Sequence, residues 1–596
     1  MQPLFADREG DEPLSGAPHR RRIKPVAVES DSEMGAETWP DRTALGVIIA
    51  CLALLLVVAI WFGGVHATAF QFSSAIICVV TGFSLWNFSA ARTALSDSRS
   101  REQGTRLILS GMLIFCVYIL AQYLLYRTMT DPHPVIGRAS MWIDPPRYWS
   151  GVLGIIATLG MFISIRLGLN RSMLGTDRDA LAALVSRMVW FSSALSVIAV
   201  IVALIAITHW FSDNGKLFWT FAPENIFVPM RARWPFVNSN HLAHFLVPLL
   251  FVSLIPSGIA LNVLVRKLAE PGRRGLRITQ SMQRWILLLT GSCAALGVIT
   301  IAIVAAQSRG AFIALGFGAL ALLLSGVLTA RARQRTLNLV APVLGRPILP
   351  FSRRVASAHE QERRWQNLNL RAISIFRRVA PGLLLVLGLI LVGMFIRDQG
   401  ANRLEDRMEY GLAHALDDSR WQLYSDTFDM IKAGPWFVVP FGVGFANWSQ
   451  SYLRYMDSSL AGLDPMYLHS DPLQVIAETG IVGAGILVVI FIALLLAGYR
   501  AMRSITNRVL SDLNVKSQPL SAAVLNSCLI RLEGVFIGRC LFSALIAALA
   551  CSAMDFPFRI PAFAFLFAVI LALYVTVVDH LHDPQRDKLD LTTRET

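Results

Sequence analysis

A histidine beside a carboxylate can take a proton from a hydroxyl, and fixed arginines can hold a phosphate. This chain carries both kinds of group in a few short stretches. His469 lies in Tyr467-Leu468-His469-Ser470-Asp471-Pro472, and Glu478-Thr479-Gly480 follows in the next turns. The ordinary pKa of histidine suits a general base, with Asp471 or Glu478 available to orient the ring. An inert interfacial histidine is the plainer alternative, and spacing alone favours it. Arg309 sits in Gln307-Ser308-Arg309-Gly310, a short turn between two long apolar runs. Charge at membrane depth is costly, so Arg309 either snorkels to the headgroups or holds an anion on its fixed fork of donors. Arg420 opens the stretch Ser419 to Lys432, whose spacing predicts a helix with Trp421, Tyr424, Phe428 and Ile431 on one face. Ala433-Gly434-Pro435 ends that helix. Arg403 and Arg407 interleave with Glu405, Asp406 and Glu409, the pattern of i,i+4 pairing.

His241 and His244 follow Asn240 at i,i+3 spacing, on one helix face. Two histidines without a third ligand make a weak metal site, and hydrogen bonding at a helix end is the plainer reading. Asp555-Phe556-Pro557-Phe558-Arg559-Ile560-Pro561 forms a late turn whose Asp and Arg read as a structural pair.

The elements that must position these residues are set by composition. Of 596 residues, 54% are hydrophobic and 16% charged, and the mean hydropathy is +0.53. Apolar runs of about twenty residues recur, long enough to cross a ~30 Å hydrocarbon core as helix. Lipid requires backbone groups to bond internally, so helices are expected. Twelve spans are drawn at roughly 43–65, 70–91, 107–126, 150–169, 188–208, 240–264, 284–306, 311–330, 381–397, 475–498, 536–554 and 559–579. The net charge of +14 is placed in short loops between these runs, as the positive-inside rule requires and a nucleic-acid site does not. The loop 331–380 holds eleven arginines against Glu360 and Glu362. Loops 92–106, 171–187 and 266–283 are basic on the same side.

The expected organisation is therefore a disordered cytoplasmic tail (1–42), nine spans (43–397), a large outer loop carrying the candidate catalytic residues (398–474), three spans (475–579) and a cytoplasmic tail (580–596). Segments 127–149 and 209–239 also fall outside. A Gly-rich turn is expected at Phe441-Gly442-Val443-Gly444, and a second helical segment from near Asp471 into the tenth span. The seven cysteines suggest neither a disulfide framework nor a C-x-x-C metal pattern, and six of them sit in or near apolar runs. Cys528 is expected in a cytoplasmic loop. No early apolar core of a signal peptide is present, and no G-x-x-x-x-G-K-[ST] sequence.

Four stretches together resemble the O-antigen ligase and polysaccharide polymerase superfamily of bacterial envelopes. They are Asn238-Ser239-Asn240-His241; Gln307-Ser308-Arg309-Gly310; Arg420-Trp421 leading to Gly434-Pro435 and Phe441-Gly442-Val443-Gly444; and His469-Ser470-Asp471 with Gln474 and Glu478-Thr479-Gly480. The resemblance runs from about residue 230 to 565. It implies an all-α polytopic, GT-C-like membrane protein of about 12 helices with a large helical periplasmic loop between spans 9 and 10. It implies a metal-independent inverting glycosyltransferase of the inner membrane without cofactor. The donor would be a glycan on undecaprenyl pyrophosphate, the acceptor lipid A–core or another glycan, and the site would face the periplasm among membrane lipids. Arg309 and Arg420 would bind the pyrophosphate and His469 would lie beside the acceptor hydroxyl, with Asn240, His241, Asp471 and Glu478 as supporting residues. This chain has Ser470-Asp471 where the family wording places Asn after the histidine. The Asp555–Pro561 turn is similar to exopolysaccharide-type members. Ligase and repeat-unit polymerase are both open. A transporter or flippase for a lipid-linked solute is the alternative from another class, disfavoured by the lack of an internal repeat. A structural subunit of an envelope complex is the third.

Overall fold

A computed structural model of the protein describes residues 41–89, 103–129, 144–172, 180–212, 216, 231–268, 279–343, 419–457, 466–514 and 522–581. The expected ninth span, Arg403, Arg407, the loop 344–380 and nearly all of both tails lie outside the described residues.

Among the described residues every regular element is helical. Eight helices come first: α1 (Arg42–Ile60), α2 (Ala67–Ser89), α3 (Gln103–Met129), α4 (Pro145–Ser172), α5 (Ala180–Ser212), α6 (Ser239–Leu268), α7 (Gln280–Ala305) and α8 (Arg309–Val343). The outer-loop region then gives α9 (Ser419–Ala433) and two short helices, α10 (Val438–Phe441) and α11 (Trp448–Tyr452). The chain continues with α12 (Asp471–Asn514), α13 (Ala522–Met554), a 3-10 turn at Pro557–Arg559 and α14 (Pro561–Leu581). Eleven of these helices are long and apolar enough to cross a membrane. The protein is a polytopic helical membrane protein.

Several helices outrun the expected spans. Their charged ends project past the apolar stretch, where hydropathy has no hold; α12, for example, continues through Arg500, Arg503 and Arg508. Cys528 accordingly lies inside α13 and is buried, not in a loop. None of the seven cysteines forms a disulfide.

Capping fixes where helices start. Asp41 accepts from Thr43 N and Ala44 N and pairs with Arg171 at the end of α4 (2.6 Å). Burial works against the Asp41 carboxylate, but its bonds to Arg171 and to those two amides hold its pKa below the ordinary value. Asn238 caps α6, its Oδ1 accepting from Asn240 N (2.8 Å). Ser308 caps α8.

The last helix is the innermost. Every residue of its apolar window is buried, and it packs on α1, α4, α12 and α13. At its far end Asp579 pairs with the buried Arg166 of α4 (2.6 Å), and Asp579 also accepts from Gly104 N of α3 (2.9 Å). An unpaired charge at that depth would be prohibitive, so this three-helix tie is obligatory. The other end of α14 opens onto the turn that carries Asp555.

Candidate active site

Three turns meet at the Asp555 end of the bundle. The first joins α7 to α8. Gln307 has φ +47 and ends α7; Ser308 is buried, and Arg309 is the exposed first residue of α8. Gly310 lies so close to Met554 and His244 that a side chain there would collide with the Met554 Cβ. The strap leading into α6 is pinned to this turn. Arg231 donates to Ala306 O (2.8 Å), Gln307 O (3.1 Å) and Asn240 Oδ1 (2.9 Å), and Ala232 N donates to Ala305 O. The N-S-N-H and Q-S-R-G motifs are thus one unit held by Arg231. Sequence reasoning passed over this arginine because no periodicity singles it out.

The second and third turns are 466–480 and 555–560, and they are zipped together. Asp471 N donates to Asp555 O (3.1 Å), and Phe558 N donates to Asp471 Oδ2 (3.0 Å). Glu478 pairs with Arg559 at 2.7 Å, with the carboxylate buried. Glu478 also accepts from Gln474 Nε2 (2.8 Å) and from Ala446 N (3.0 Å). Burial works against the Arg559 guanidinium, but Glu478 and Asp471 hold its pKa above the ordinary arginine value. Asp471 and Glu478, the carboxylates expected to orient His469, are therefore committed to backbone and to Arg559.

His469 instead meets Asp555. Its Nδ1 lies 2.9 Å from Asp555 Oδ1; the carboxylate side chain is 0% exposed and the imidazole 30%. The expected Asp555–Arg559 pair does not form: each partner goes to a different residue. Burial would raise the Asp555 carboxyl, but the hydrogen bond with His469 and the nearby histidines hold it well below the ordinary carboxylate range. An ionised Asp555 fixes the Nδ1–H tautomer of His469 and leaves Nε2 with its lone pair. The backbone at His469 is left-handed (φ +57), and its carbonyl accepts from Tyr424 OH (3.0 Å) on α9. Phe556 packs edge-on against both His469 (4.8 Å) and His241 (5.0 Å). His241 and His244 are buried at this end of the bundle, and no set of three His, Cys, Asp or Glu side chains among the described residues is arranged to hold a metal ion.

Arg420, at the start of α9, donates to Met554 O (3.1 Å). Met554 also packs on Gly310, so Arg309 and Arg420 arrive at the same end of α13, one residue before Asp555. Two cations, an oriented histidine and a helix N-terminus at α8 thus share one end of the bundle, an arrangement suited to an anion beside a base.

The outer-loop helices form a small lobe with its own core of Leu423, Met430, Val438, Val443, Trp448, Tyr452 and Leu468. Trp421, Tyr424, Phe428 and Ile431 share one face of α9 as expected, but that face is not the buried one. The inner face is Leu423, Asp426, Thr427 and Met430, while Trp421 and Phe428 are about half exposed and Tyr424 and Ile431 lie at the edge. Asp426 accepts from Tyr452 OH and Asp457 N, and Thr427 accepts from Trp448 Nε1, so polar residues are satisfied inside. The lobe is bolted to α12 through the expected Gly-rich turn. Val443 N and Gly444 N donate to the carbonyls of Ala477 (2.8 Å) and Glu478 (2.9 Å). Gly442 (φ 75, ψ −176) and Gly480 (φ 66, ψ −174) face each other's backbone so closely that neither has room for a side chain. Both use a backbone region open essentially to glycine alone.

No curated protein matches the chain. A family model described as O-antigen ligase matches residues 294–488. That stretch contains Arg309, Arg420, His469, Asp471 and Glu478, and stops short of both Asn240–His241 and Asp555. By its spans the protein is a multi-pass membrane protein, and about a third of its chain is similar to the O-antigen ligase family.

Proposed function

We propose that the protein moves a glycan from undecaprenyl pyrophosphate to an acceptor hydroxyl, on lipid A–core or another surface glycan, at the periplasmic face of the inner membrane. The observation that carries this reading is the His469–Asp555 pair at 2.9 Å, set beside Arg309 and Arg420 in a chain that matches the O-antigen ligase family over residues 294–488. His469 Nε2 takes the proton of the acceptor hydroxyl as its oxygen attacks the anomeric carbon. The bond from that carbon to the pyrophosphate oxygen breaks, and the leaving group departs with its electron pair. Arg309 and Arg420 stabilise the charge growing there, which lowers the barrier. Attack opposite the leaving group inverts the anomeric centre. Asp555 holds the ring and its tautomer and favours the imidazolium that forms. The energy resides in the donor, so no nucleotide or cofactor is required. Asn240 keeps Arg231 across the α7–α8 turn, His241 packs on the Phe556 ring that also meets His469, and Asp471 and Glu478 hold the two turns together.

The test is glycan transfer by the purified protein in detergent, from a lipid pyrophosphate donor to defined acceptors. Transfer lost in both His469→Ala and Arg309→Ala is expected; transfer intact in both overturns the mechanism. Movement of the lipid-linked substrate across vesicles without transfer would favour a transporter. Within the superfamily, a single repeat unit as acceptor marks a polymerase, and lipid A–core marks a ligase.

A further inference from the structure

The short segment from Trp436 to Phe441 does something that the reaction does not require. It is anchored on one side and bare on the other. On the anchored side, Phe437 packs against Tyr126 of α3 (6.0 Å), and Val438 enters the core of the outer lobe. The Phe441 carbonyl accepts from Gln122 Nε2, and the Gly442 carbonyl from Tyr126 OH (2.6 Å). On the bare side, Trp436 is 81% exposed, with Val439 and Phe441 also exposed. A tryptophan held out in this way by rigid anchors calls for an occupant.

The level at which α10 is anchored identifies that occupant. Tyr118, Gln122 and Tyr126 lie along the last three turns of α3, an apolar helix long enough to span a membrane. The carbonyl of Thr479 accepts from Tyr118 OH (2.5 Å), and the apolar run of α12 begins two residues later at Ile481. Here polar sequence gives way to lipid-compatible sequence on both helices. Their outward residues at this height are Leu120, Leu124 and Leu125 on α3 and Ile481 and Val482 on α12, all exposed. On helices that cross a membrane, such faces meet lipid. α10 is joined to both helices at this level, to α3 through the Phe441 carbonyl and to α12 through Val443 N. A further aromatic group, Tyr123 stacked on Tyr148 (4.3 Å) with Trp149 exposed beside them, lies next to it. Tryptophan and tyrosine concentrate where hydrocarbon meets headgroup, since each has an apolar body and a polar edge.

We infer that the Trp436–Phe441 segment is a lipid-docking element, with α10 lying in the headgroup layer and Trp436, Val439 and Phe441 turned into lipid. It makes the outer lobe a monotopic attachment as well as a loop between spans. Its seat is independent of which reaction the site performs.

The test uses the full chain reconstituted in phosphatidylcholine vesicles. Acyl chains are brominated near their tops in one preparation and near their ends in another. Emission of the wild type is compared with Trp436→Phe, which removes one of fourteen tryptophans. The difference is the Trp436 component. It is expected to be lost with shallow bromines, less affected by deep ones, and resistant to acrylamide in water. Quenching by acrylamide would place Trp436 in water and overturn the inference. Quenching by neither would mean that protein, such as a second copy of the chain, covers it, and would overturn it equally. Val439→Trp is the converse measurement. It should add a component quenched by shallow bromines; an added component quenched by acrylamide alone counts against lipid docking.

Discussion

His469 Nδ1 and Asp555 Oδ1 sit 2.9 Å apart although 86 positions separate them in the chain, and among the described residues no other side chain is hydrogen-bonded to the buried carboxylate. The ring is partly open to solvent and the carboxylate is closed off. The pair is therefore polarised: one partner faces substrate and the other faces the bundle. Asp555→Asn keeps the shape but loses the charge that fixes the Nδ1–H tautomer. Transfer should fall by roughly 10²–10⁴-fold, the range for a misplaced general base, with the donor KM little changed. An Asp555→Asn protein with full turnover would remove Asp555 from the mechanism.

Arg309 and Arg420 flank the end of α13 together. Replacing either by Ala should cost about 10²–10³ in turnover, as for loss of one donor to a developing anion. Lysine at Arg309 should recover only part of this, because a single ammonium cannot reproduce the planar fork. Initial rates with donor and acceptor varied separately read the effect. Equal rates for the arginine, lysine and alanine forms would reduce Arg309 to a headgroup contact.

The Glu478–Arg559 pair predicts a stability effect. Arg559→Met leaves a buried carboxylate without its partner, at a cost of about 3–5 kcal/mol. Thermal unfolding in detergent should show a clear fall. The double variant Glu478→Met/Arg559→Met should be less affected, since it leaves no orphan charge.

Gly480→Ala tests the bolt between the outer lobe and α12. The backbone conformation alone costs about 1–3 kcal/mol for any other residue, and the Pro440 and Phe441 backbone blocks the new methyl group. Faster proteolysis within the lobe, with the other helices left intact, is the expected reading. Wild-type protection would show that the two strands of backbone can part without loss.

Much of this was legible in the sequence. Span positions follow from composition, because lipid allows few alternatives to an apolar helix. His469 and Arg309 stood out because charged or titratable groups at the edges of apolar runs are costly, and Arg420 because it opens an aromatic amphipathic helix. Asp555 was legible as a residue but not as a partner. A local reading pairs it with Arg559 four residues away, whereas the fold brings Asp471 and Glu478 into that turn and redistributes the charges. The inner face of α9 was missed for a related reason. Asp426 and Thr427 are buried because Tyr452 and Trp448 satisfy them, and a hydropathy pattern counts polar residues as outward.

One consequence concerns the order of manufacture. α14 stands at the centre of the bundle, yet it follows the other described spans in the chain. During synthesis the helices around it enter the membrane first and must keep a slot for it. Arg166 waits there without Asp579 until the final span arrives. A chain cut before Pro561 should therefore insert, fail to close, and be cleared by membrane proteases; pulse-chase of that truncation would show it. The helix that seals the centre acts as a checkpoint on assembly of the spans before it.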